Sequence, residues 1–331
     1  MKKILIMGGT IFVSKYLATY FIAKGDDVYV YNRNTHKQPE KARLIVGDRN
    51  NIGDSLKQYD FDLVIAVNTY TGDDMKELLS SLSTIKDIVF ISSSAVYPET
   101  LPQPFKEEQL VGDNSIWGDY GSNKIEAEQV LLSKVPNAYI IRPPYLYGKM
   151  QNLYREAFVF DCAEMNKPFY IPNNGDMKLQ FFDVEDLCRF IEILIDKKPD
   201  DRIFNVGNEK IDTINTFVET CYKVVGSELE KKYVDKDYNQ RDYFPFHNYS
   251  YCLDVSKQKE LMPTTKSLYQ GLKESYEWYK NHRNDVNRKD YISFIENELK
   301  DRFAKIDEVA EYNQLKVMKA FQKNQVSEAH L

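Results

Sequence analysis

Tyr120 and Lys124 are the two residues of this sequence whose types and spacing best suit proton transfer. They stand four residues apart at the start of a helix-like run over 120–132, so one helical turn brings both side chains to the same face. A tyrosine phenol has a pKa of about 10, and a neighbouring ammonium group favours the phenolate. The pair could then take a proton from an alcohol, as hydride transfer at a carbinol carbon requires.

Tyrosine is abundant in this chain, with 24 examples among 331 residues. A tyrosine four residues before a lysine therefore also arises by chance on a solvated helix, and the pattern taken alone favours that structural interpretation. Other segments of the sequence must show whether the pair is a site for proton transfer or a chance match on a helix surface.

The segment Gly8-Gly9-Thr10 directly follows the first apolar strand and precedes the first helix. In this setting, backbone amides and a helix N-terminus face the pyrophosphate of a dinucleotide. An ordinary strand-to-helix turn is the alternative. Ile11 occupies the place of the second glycine of the usual pattern, so its side chain must point away from the pyrophosphate. Phe12 then opens the helix.

Asn32 and Arg33 end the second strand, where an acidic residue would bind the ribose 2′-hydroxyl of NAD. Since no carboxylate there repels a 2′-phosphate and Arg33 could bind one, the sequence favours NADP over NAD as the cofactor. An ordinary surface role for Arg33 is the alternative. Asp48, after the third strand, could accept a hydrogen bond from the adenine amino group or cap a helix.

Short apolar strands alternate with helical stretches through the first half of the chain, which predicts an α/β fold with βαβ units and a buried parallel sheet. The pattern indicates a dinucleotide-binding domain over 1–148 and a smaller, aromatic-rich substrate-binding lobe over 149–283, partly interleaved with the sheet. A helical tail over 284–331 carries an apolar stripe, and we expect it to pack on its own domain or on a sister subunit rather than on another partner. The predicted strands are 3–7, 28–31, 43–46, 63–67, 88–91, 138–141 and 202–206, the predicted helices include 12–24 and 74–83, and the stripe comprises Ile292, Ile295, Leu299, Phe303, Ile306 and Ala310.

Charge and cysteine usage limit the function classes. The 44 basic and 50 acidic residues give a net charge of −6, which argues against a general nucleic-acid-binding surface. Cys162, Cys188, Cys221 and Cys252 form no CxxC pattern, so neither a zinc site nor a disulfide framework is predicted. The sequence shows neither a secretory leader nor an apolar run of membrane-spanning length. It therefore predicts a soluble cytoplasmic protein without metal or membrane contact.

Seven motifs follow one another in an order typical of one superfamily. They are GGTIF at 8–12, GDR at 47–49, FISSSAVY at 90–97, YGSNK at 120–124, IRPPYLYG at 141–148, FDVEDL at 182–187 and FNVG at 204–207. Over about residues 1–280 the chain resembles the extended short-chain dehydrogenase/reductases, the NAD(P)-dependent sugar-nucleotide epimerases and dehydratases. It is most similar to a branch that includes bacterial reductase-like proteins and chloroplast stem-loop RNA-binding proteins. The resemblance implies a Rossmann-like, doubly wound parallel sheet with a smaller C-terminal substrate lobe.

The resemblance also implies roles at the matching positions. Tyr120 would be the acid/base, Lys124 its pKa partner and a ligand of the nicotinamide ribose, and Ser93 the hydroxyl that binds the substrate oxygen. Ser94 and Ala95 stand where the 4,6-dehydratases carry Asp-Glu, so 4,6-dehydration is not expected. Tyr145 replaces an asparagine of many sugar-nucleotide epimerases. The candidate substrate contacts are Ser94, Tyr145, Asn152, Arg155, Gln180 and Arg241, and the last four are equally open to a structural role.

Together these features predict an NAD(P)-dependent oxidoreductase or epimerase that acts on a sugar nucleotide or a related hydroxylated substrate, with a homodimer as one allowed assembly. The second hypothesis is an RNA-binding protein on the same fold, which the acidic charge balance and the retained Ser–Tyr–Lys set disfavour. The third is a redox-sensing or scaffold protein. Such proteins often lose the tyrosine and the lysine that this chain keeps.

Overall fold

Seven parallel strands form the sheet at the centre of the molecule. A computed structural model describes residues 1–235, 237–300 and Lys316. The strands are β1 (Lys3–Met7), β2 (Asp27–Asn32), β3 (Arg43–Val46), β4 (Leu63–Ala66), β5 (Asp87–Ile91), β6 (Tyr139–Arg142), β7 (Tyr145–Tyr147), β8 (Phe169–Pro172), β9 (Lys178–Leu179), β10 (Phe181–Asp183), β11 (Ile203–Asn205), β12 (Asp212–Thr213) and β13 (Lys231–Val234). The helices are α1 (Phe12–Ala23), α2 (Gly72–Ser81), α3 (Asp119–Lys134), α4 (Glu156–Glu164), α5 (Val184–Lys197), α6 (Ile214–Val225), α7 (Ser256–Leu261), α8 (Leu268–Asn281) and α9 (Tyr291–Phe294), and a π-helical turn, Ile295–Leu299, continues α9.

The strand order of the central sheet is β3-β2-β1-β4-β5-β6-β11, and each neighbouring pair is parallel. The connections run outward in opposite directions from β1 and β4, so a crevice opens at the carboxyl ends of these two strands. Ligands of doubly wound sheets bind in such a crevice. The prediction of a Rossmann-like, doubly wound parallel sheet is confirmed.

Helices cover both faces of this sheet, because its strands carry apolar side chains on both sides. All four residues of β4 are buried. Leu17 and Phe21 of α1 pack with Leu187 of α5 on one face, and Leu78 of α2 packs with Leu131 of α3 on the other. Burying a side chain of this size contributes about 1.5–3 kcal/mol. These two layers fix the start of α1 and of α3 at the same edge of the sheet.

Beyond β6 the chain builds a second core, rich in aromatic residues, around α4, α6 and α8. The rings of Phe181 and Phe217 stack there with their centroids 5.1 Å apart. Two elements from the same half of the chain join the first layer instead: β11 pairs with β6, and α5 packs against α1. Ile295 and Leu299 of the predicted tail stripe are buried in the aromatic core. The stripe positions Phe303, Ile306 and Ala310 lie outside the described residues.

Glu156 carries a buried carboxyl group at the start of α4, with 2% of the residue exposed. Its Oε1 accepts hydrogen bonds of 3.3 Å from the backbone N–H of Gly148 and from the hydroxyl of Ser275. Burial raises the pKa of Glu156 from 4.5 to about 7, because a low-dielectric environment disfavours the charged form. In the folded protein this carboxyl group therefore keeps its proton at pH values where the unfolded chain has lost it.

Glu156→Gln is expected to stabilise the protein more at pH 8 than at pH 5. For the wild type, the free energy of unfolding falls as the pH rises from about 4.5 to about 7, since only the native state still holds the proton, and the loss is complete above that window. At 1.36 kcal/mol per pKa unit, the gain at pH 8 is about 3 kcal/mol at most. Thermal melts of both proteins at the two pH values measure it. The exposed Glu277→Gln is the control, and an equal gain for Glu156→Gln at pH 5 and pH 8 would contradict the prediction.

Candidate functional site

The loop between β1 and α1 is shaped by glycines at the carboxyl end of β1. Gly9 has a φ of 101°, in the left-handed region, and a Cβ atom at this position would lie 2.4 Å from Cγ1 of Val30 in β2. The carbonyl of Gly8 accepts a hydrogen bond of 2.8 Å from the side-chain amide of Asn32. Only glycine allows the loop to pass this close to β2.

Ile11 and Phe12 begin α1 without the second glycine of the usual pattern. Ile11 is the N-cap residue, and 46% of its surface is exposed at the edge of a cavity. Phe12 has a φ of 32°, and a positive φ at a residue with a Cβ atom stores strain of a kind that proteins keep mainly at functional sites. The first N–H groups of a helix have no partner within it, so the start of α1 can bind an anion.

A cavity of about 370 Å³ lies at this loop, between the carboxyl ends of β1, β2 and β4. We call it the first cavity. Two buried polar atoms of its lining, Arg49 Nε and Asn68 Oδ1, have no hydrogen-bond partner within the described part of the chain, but Arg49 Nε forms an ion pair with Asp74 Oδ2 at 3.7 Å. Since buried polar atoms are nearly always satisfied, Asn68 Oδ1 fits contact with a polar ligand. The glycine loop, the helix start and this atom together fit the ADP half of a dinucleotide.

The residues predicted to select the cofactor lie at or beside the first cavity. The side-chain amide of Asn32 forms hydrogen bonds within the protein: its Nδ2 donates to the carbonyl of Gly8, and its Oδ1 accepts the backbone N–H of Asn34. Arg33 is exposed and lines the cavity, as does Thr10. The Oδ1 of Asp48 accepts the backbone N–H two residues further on, so Asp48 caps a turn and not a helix, while it also lines the cavity.

A second cavity, of about 450 Å³, adjoins the first. Ser93, Tyr120 and Lys124 line it together. The structure therefore brings the three predicted proton-transfer residues into one cavity beside the dinucleotide site. The two cavities share the lining residues Phe12, Val13, Val67 and Tyr70.

Gly121 explains how Tyr120 reaches Ser93, and the motifs do not single it out. A Cβ atom at Gly121 would lie 2.4 Å from the backbone oxygen of Ala95, so only glycine lets the start of α3 approach this turn. The turn is a 3₁₀ helix over Ser94–Val96, and the Ser93 hydroxyl caps it by accepting the N–H of Ala95 at 3.1 Å. A glycine directly after a candidate catalytic tyrosine is the feature of the sequence that could have indicated this contact.

Tyr120 has a raised pKa in the protein. Burial is the largest cause, because the surrounding protein disfavours the phenolate, and Tyr70 adds to the rise. Hydrogen bonding by the Ser93 side chain and the positive charge of Arg155 act in the opposite direction. Tyr120 lines the second cavity, and 40% of its surface is exposed. The role of Lys124 as the pKa partner of Tyr120 stays a prediction.

Lys124 is 1% exposed, and its ammonium group points to backbone carbonyls. The Nζ atom donates hydrogen bonds of 2.8 Å to Thr69 O and 2.9 Å to Ile91 O, beyond the end of β4 and at the end of β5. Burial lowers the pKa of Lys124 to about 7, and the carboxylates of Glu128 and Asp74 oppose that fall. Two N–H groups are thus committed, and the third, which only the charged form possesses, remains for a ligand.

Ser94, Tyr145 and Arg155 also line the second cavity, so three of the candidate substrate contacts lie beside Tyr120. Asn152 borders a separate cavity near the start of α1, and its backbone carbonyl accepts the N–H of Asn287 at 2.8 Å. Arg241 lies outside the lining of the second cavity.

Gln180 is not placed for substrate contact. It is 0% exposed, and its Nε2 donates to the carbonyls of Asn208 and Leu253 at 3.0 and 3.2 Å. Its Oε1 accepts the N–H of Leu253 at 2.7 Å. All its hydrogen-bonding groups are used to join β10 to neighbouring segments, so the prediction of a substrate role is corrected to a structural one.

Tyr70 belongs to the site although no motif indicates it. It lines both cavities, and two cations lie near its ring, the Arg49 guanidinium at 4.8 Å and the Lys124 ammonium at 5.1 Å from the ring centroid. Tyr70 follows the carboxyl end of β4, next to the point where the strand order reverses. That position is the one property of the sequence that could have identified it.

Within residues 1–235, 237–300 and Lys316, no group of three or more histidine, cysteine, aspartate or glutamate side chains is arranged to hold a metal ion. None of the described helices combines the length and the apolar character needed to cross a bilayer.

Solved structures of other proteins share this architecture. The dTDP-glucose 4,6-dehydratase of Bacillus anthracis, solved in complex with NAD, superposes with a TM-score of 0.69 at 18% identity, over 86% of this chain and 99% of that one. The UDP-glucose 4-epimerase of Thermotoga maritima, solved with UDP-glucose, gives a TM-score of 0.68 at 19% identity, over 84% and 99%. At these identities the likeness shows a shared fold.

The sequence comparisons identify the family. The chloroplast stem-loop binding protein of 41 kDa b from Arabidopsis thaliana is 28% identical over 302 residues, which cover 83% of this chain and 78% of that protein. The model of the NAD dependent epimerase/dehydratase family matches residues 4–207, a range that contains the glycine loop and Ser93, Tyr120 and Lys124. This chain therefore belongs to the NAD dependent epimerase/dehydratase family.

Proposed function

We propose that this protein is an NAD(P)-dependent oxidoreductase or epimerase that acts on a sugar nucleotide. One observation carries the proposal: Ser93, Tyr120 and Lys124 line a single cavity that opens onto the cavity of the glycine loop. The sugar-nucleotide enzymes that share the fold support the substrate class.

The residues of the second cavity would each have a separate role in hydride transfer at a carbinol carbon. Bound NAD(P) would supply the hydride acceptor or donor at its nicotinamide. The Ser93 and Tyr120 hydroxyls would hold the reacting oxygen, and Tyr120 would take its proton in oxidation or return it in reduction. Lys124 would give its third N–H to a ribose hydroxyl of the cofactor, and the start of α1 would bind the pyrophosphate.

The lining of the second cavity favours oxidation and reduction over elimination of water. A 4,6-dehydratase needs an additional acid and base, but Ser94 and Ala95 occupy the corresponding positions. No residue of this lining is acidic in the part of the chain that the structure describes. We therefore favour net reduction, or transient oxidation as in epimerisation.

The edge of the first cavity favours NADP. Arg33 is exposed there, His36 lies beside it in the lining, and Asn32 brings no carboxylate that would repel a 2′-phosphate.

The proposal predicts that both dinucleotides raise the melting temperature and that NADP raises it more. A ligand of the native state stabilises it by about 2.7 kcal/mol at a hundred times its Kd. Melts with NAD, NADP or neither measure this, and Arg33→Ala should reduce the NADP effect while leaving the NAD effect unchanged.

Sugar nucleotides are then incubated with deuterated NADPH, and mass spectrometry detects label in a reduced product or a 4-keto intermediate. Salt-dependent RNA binding, with melting unaffected by either dinucleotide, would contradict the proposal.

A further inference from the structure

Tyr70 stands at the junction of the two cavities, since it lines both of them, and 39% of its surface is exposed. It belongs to the loop between β4 and α2. Its backbone N–H donates a hydrogen bond of 2.8 Å to Oδ2 of Asp74, which also forms a capping box with Thr71 at the start of α2. The loop is thus tied to this helix, and the Tyr70 side chain can act on residues of both cavities.

The ammonium group of Lys124 lies near two aromatic rings. Its Nζ atom is 5.1 Å from the ring centroid of Tyr70 and 4.6 Å from that of Phe90, which is buried on β5. A cation within about 6 Å of a ring centroid is attracted by the electrons of the ring, and the attraction is larger where water is excluded. Both rings therefore favour the charged form of a lysine that burial would otherwise render neutral.

The carboxylates that act on Lys124 also serve other cations. Burial lowers the pKa of this lysine to about 7, the carboxylates of Glu128 and Asp74 oppose the fall, and Arg49 adds to it. Glu128 forms an ion pair with Arg142, and Asp74 forms one with Arg49. Within residues 1–235 and 237–300, the ammonium group itself has no ion-pair partner. Its charge is therefore supported by groups other than a directly paired carboxylate.

Two kinds of contact remain to support this charge, namely two backbone carbonyls and two rings. The carbonyls accept hydrogen bonds from Nζ, and a neutral amine can still donate to both of them. A ring attracts only the ammonium form by this electrostatic mechanism. The rings are thus the contacts that best distinguish the charged form of Lys124 from the neutral one.

We propose that Tyr70 is a positioning residue that acts through Lys124: its ring, with that of Phe90, holds this lysine as an ammonium ion at the junction of the cavities. The inference rests on the proposed function, in which the third N–H of Lys124 binds a ribose hydroxyl of the cofactor. A neutral lysine has no third N–H to give. The ring carries this role and the hydroxyl of Tyr70 does not, so substitutions can separate the two.

The first test follows the titration of Lys124 by NMR in the cofactor-free protein, with ¹³C-labelled lysine. The signal of Lys124 is the one that titrates near pH 7 and is absent from Lys124→Met. Tyr70→Leu, which keeps an apolar side chain but no ring, should lower the midpoint by roughly 0.5 to 1.5 pH units, the size of a cation–π interaction. Tyr70→Phe keeps the ring and should retain the wild-type midpoint.

The other outcomes of this titration would each overturn the inference. An unchanged midpoint in Tyr70→Leu would do so and leave the proposed function standing. A higher midpoint would show that the ring acts by keeping water from Lys124. An equal fall in Tyr70→Phe would assign the effect to the hydroxyl group.

Tyr269→Leu is the matched control. Tyr269 is exposed to nearly the same extent as Tyr70, 41% against 39%, and a lysine also lies near its ring, with Lys223 Nζ 5.3 Å from the centroid. Since Tyr269 belongs to α8, its substitution should leave the titration of Lys124 unchanged. A fall equal to that of Tyr70→Leu would show a general effect of losing a tyrosine and overturn the inference.

The second test measures NAD binding between pH 6 and pH 9, which connects the Tyr70 ring to the cofactor. The Kd of Tyr70→Leu should begin to rise at a lower pH than that of the wild type, by the same 0.5 to 1.5 pH units, and Tyr70→Phe should follow the wild type. A purely structural role of Tyr70 would change the Kd without moving this onset, and that result would overturn the inference. Failure of the wild type to bind either dinucleotide would overturn the proposed function and this inference with it, even if the first test succeeded.

Discussion

Tyr120→Phe is expected to lower turnover by roughly 10²- to 10⁴-fold, the usual contribution of a positioned acid/base, while dinucleotide binding stays near the wild-type value. Phenylalanine keeps the ring that lines the second cavity and removes only the hydroxyl group. Ser93 can still hold the substrate oxygen, but a serine hydroxyl does not exchange protons readily near neutral pH. Lys124 cannot replace the phenol, because its ammonium group bonds to the carbonyls of Thr69 and Ile91.

The pH dependence of turnover gives this prediction a second measurement. Burial holds the pKa of Tyr120 above its ordinary value, so the phenol is protonated at neutral pH and already suited to reduction. Oxidation needs the phenolate, and its rate should therefore rise with pH until that pKa is reached. The slope should be absent from the residual activity of Tyr120→Phe.

Two measurements test the loss of turnover and its pH dependence. They are steady-state rates, taken with the sugar nucleotide that shows label transfer, and Kd values for the dinucleotides. Tyr269→Phe is the matched control, because Tyr269 is exposed to nearly the same extent, 41% against 40%, but lies on α8. Wild-type turnover in Tyr120→Phe would refute the assignment of the acid/base. A parallel loss of dinucleotide binding would show instead that the substitution disturbs the site.

The sequence predicts the sheet from general rules, and the family resemblance implies the pairing of Ser93 with Tyr120, which the geometry of the sheet then explains. Apolar runs separated by helical segments indicate buried parallel strands, and the carboxyl ends of such strands share one edge of the sheet. Residues placed after β5 and at the start of α3 must then approach each other.

The orientation of Lys124 does not follow from such rules. The four-residue spacing correctly places it one turn from Tyr120, but its hydrogen bonds go to carbonyl groups that other strands bring to the same point. Arg155 and Gln180 show the same limit. The sequence leaves both equally open to a structural role, and tertiary packing separates them, with Arg155 lining the cavity and Gln180 fully buried between β10 and its neighbours.

NAD binding is expected to weaken as the pH rises above about 7, through the loss of the proton of Lys124. The pKa of Lys124 is about 7 in the free protein, and both protonation states can donate to Thr69 and Ile91. Only the ammonium form has a third N–H for a ribose hydroxyl. A bound cofactor that uses this N–H raises the pKa, so binding above pH 7 takes up a proton.

The expected change in the Kd for NAD follows from this uptake of a proton on binding. The Kd for NAD should rise by about tenfold per pH unit above 7, until the pH reaches the raised pKa of the complex. Titrations from pH 6 to 9 measure it, and NAD is used because the 2′-phosphate of NADP itself titrates at about pH 6. His36 also lines the first cavity, so His36→Gln must retain the effect if Lys124 causes it.

Lys124→Met should remove this pH dependence and bind NAD weakly at every pH. The substitution leaves the carbonyls of Thr69 and Ile91 without their donor, which costs about 1–3 kcal/mol for each buried group, but it also removes a lysine whose burial is itself unfavourable. Lys134→Met, at the exposed end of the same helix, should change neither property. The wild-type titration tests the role of Lys124 even if Lys124→Met does not fold. A Kd that stays constant from pH 6 to 9 would show that the third N–H of Lys124 does not bind the cofactor.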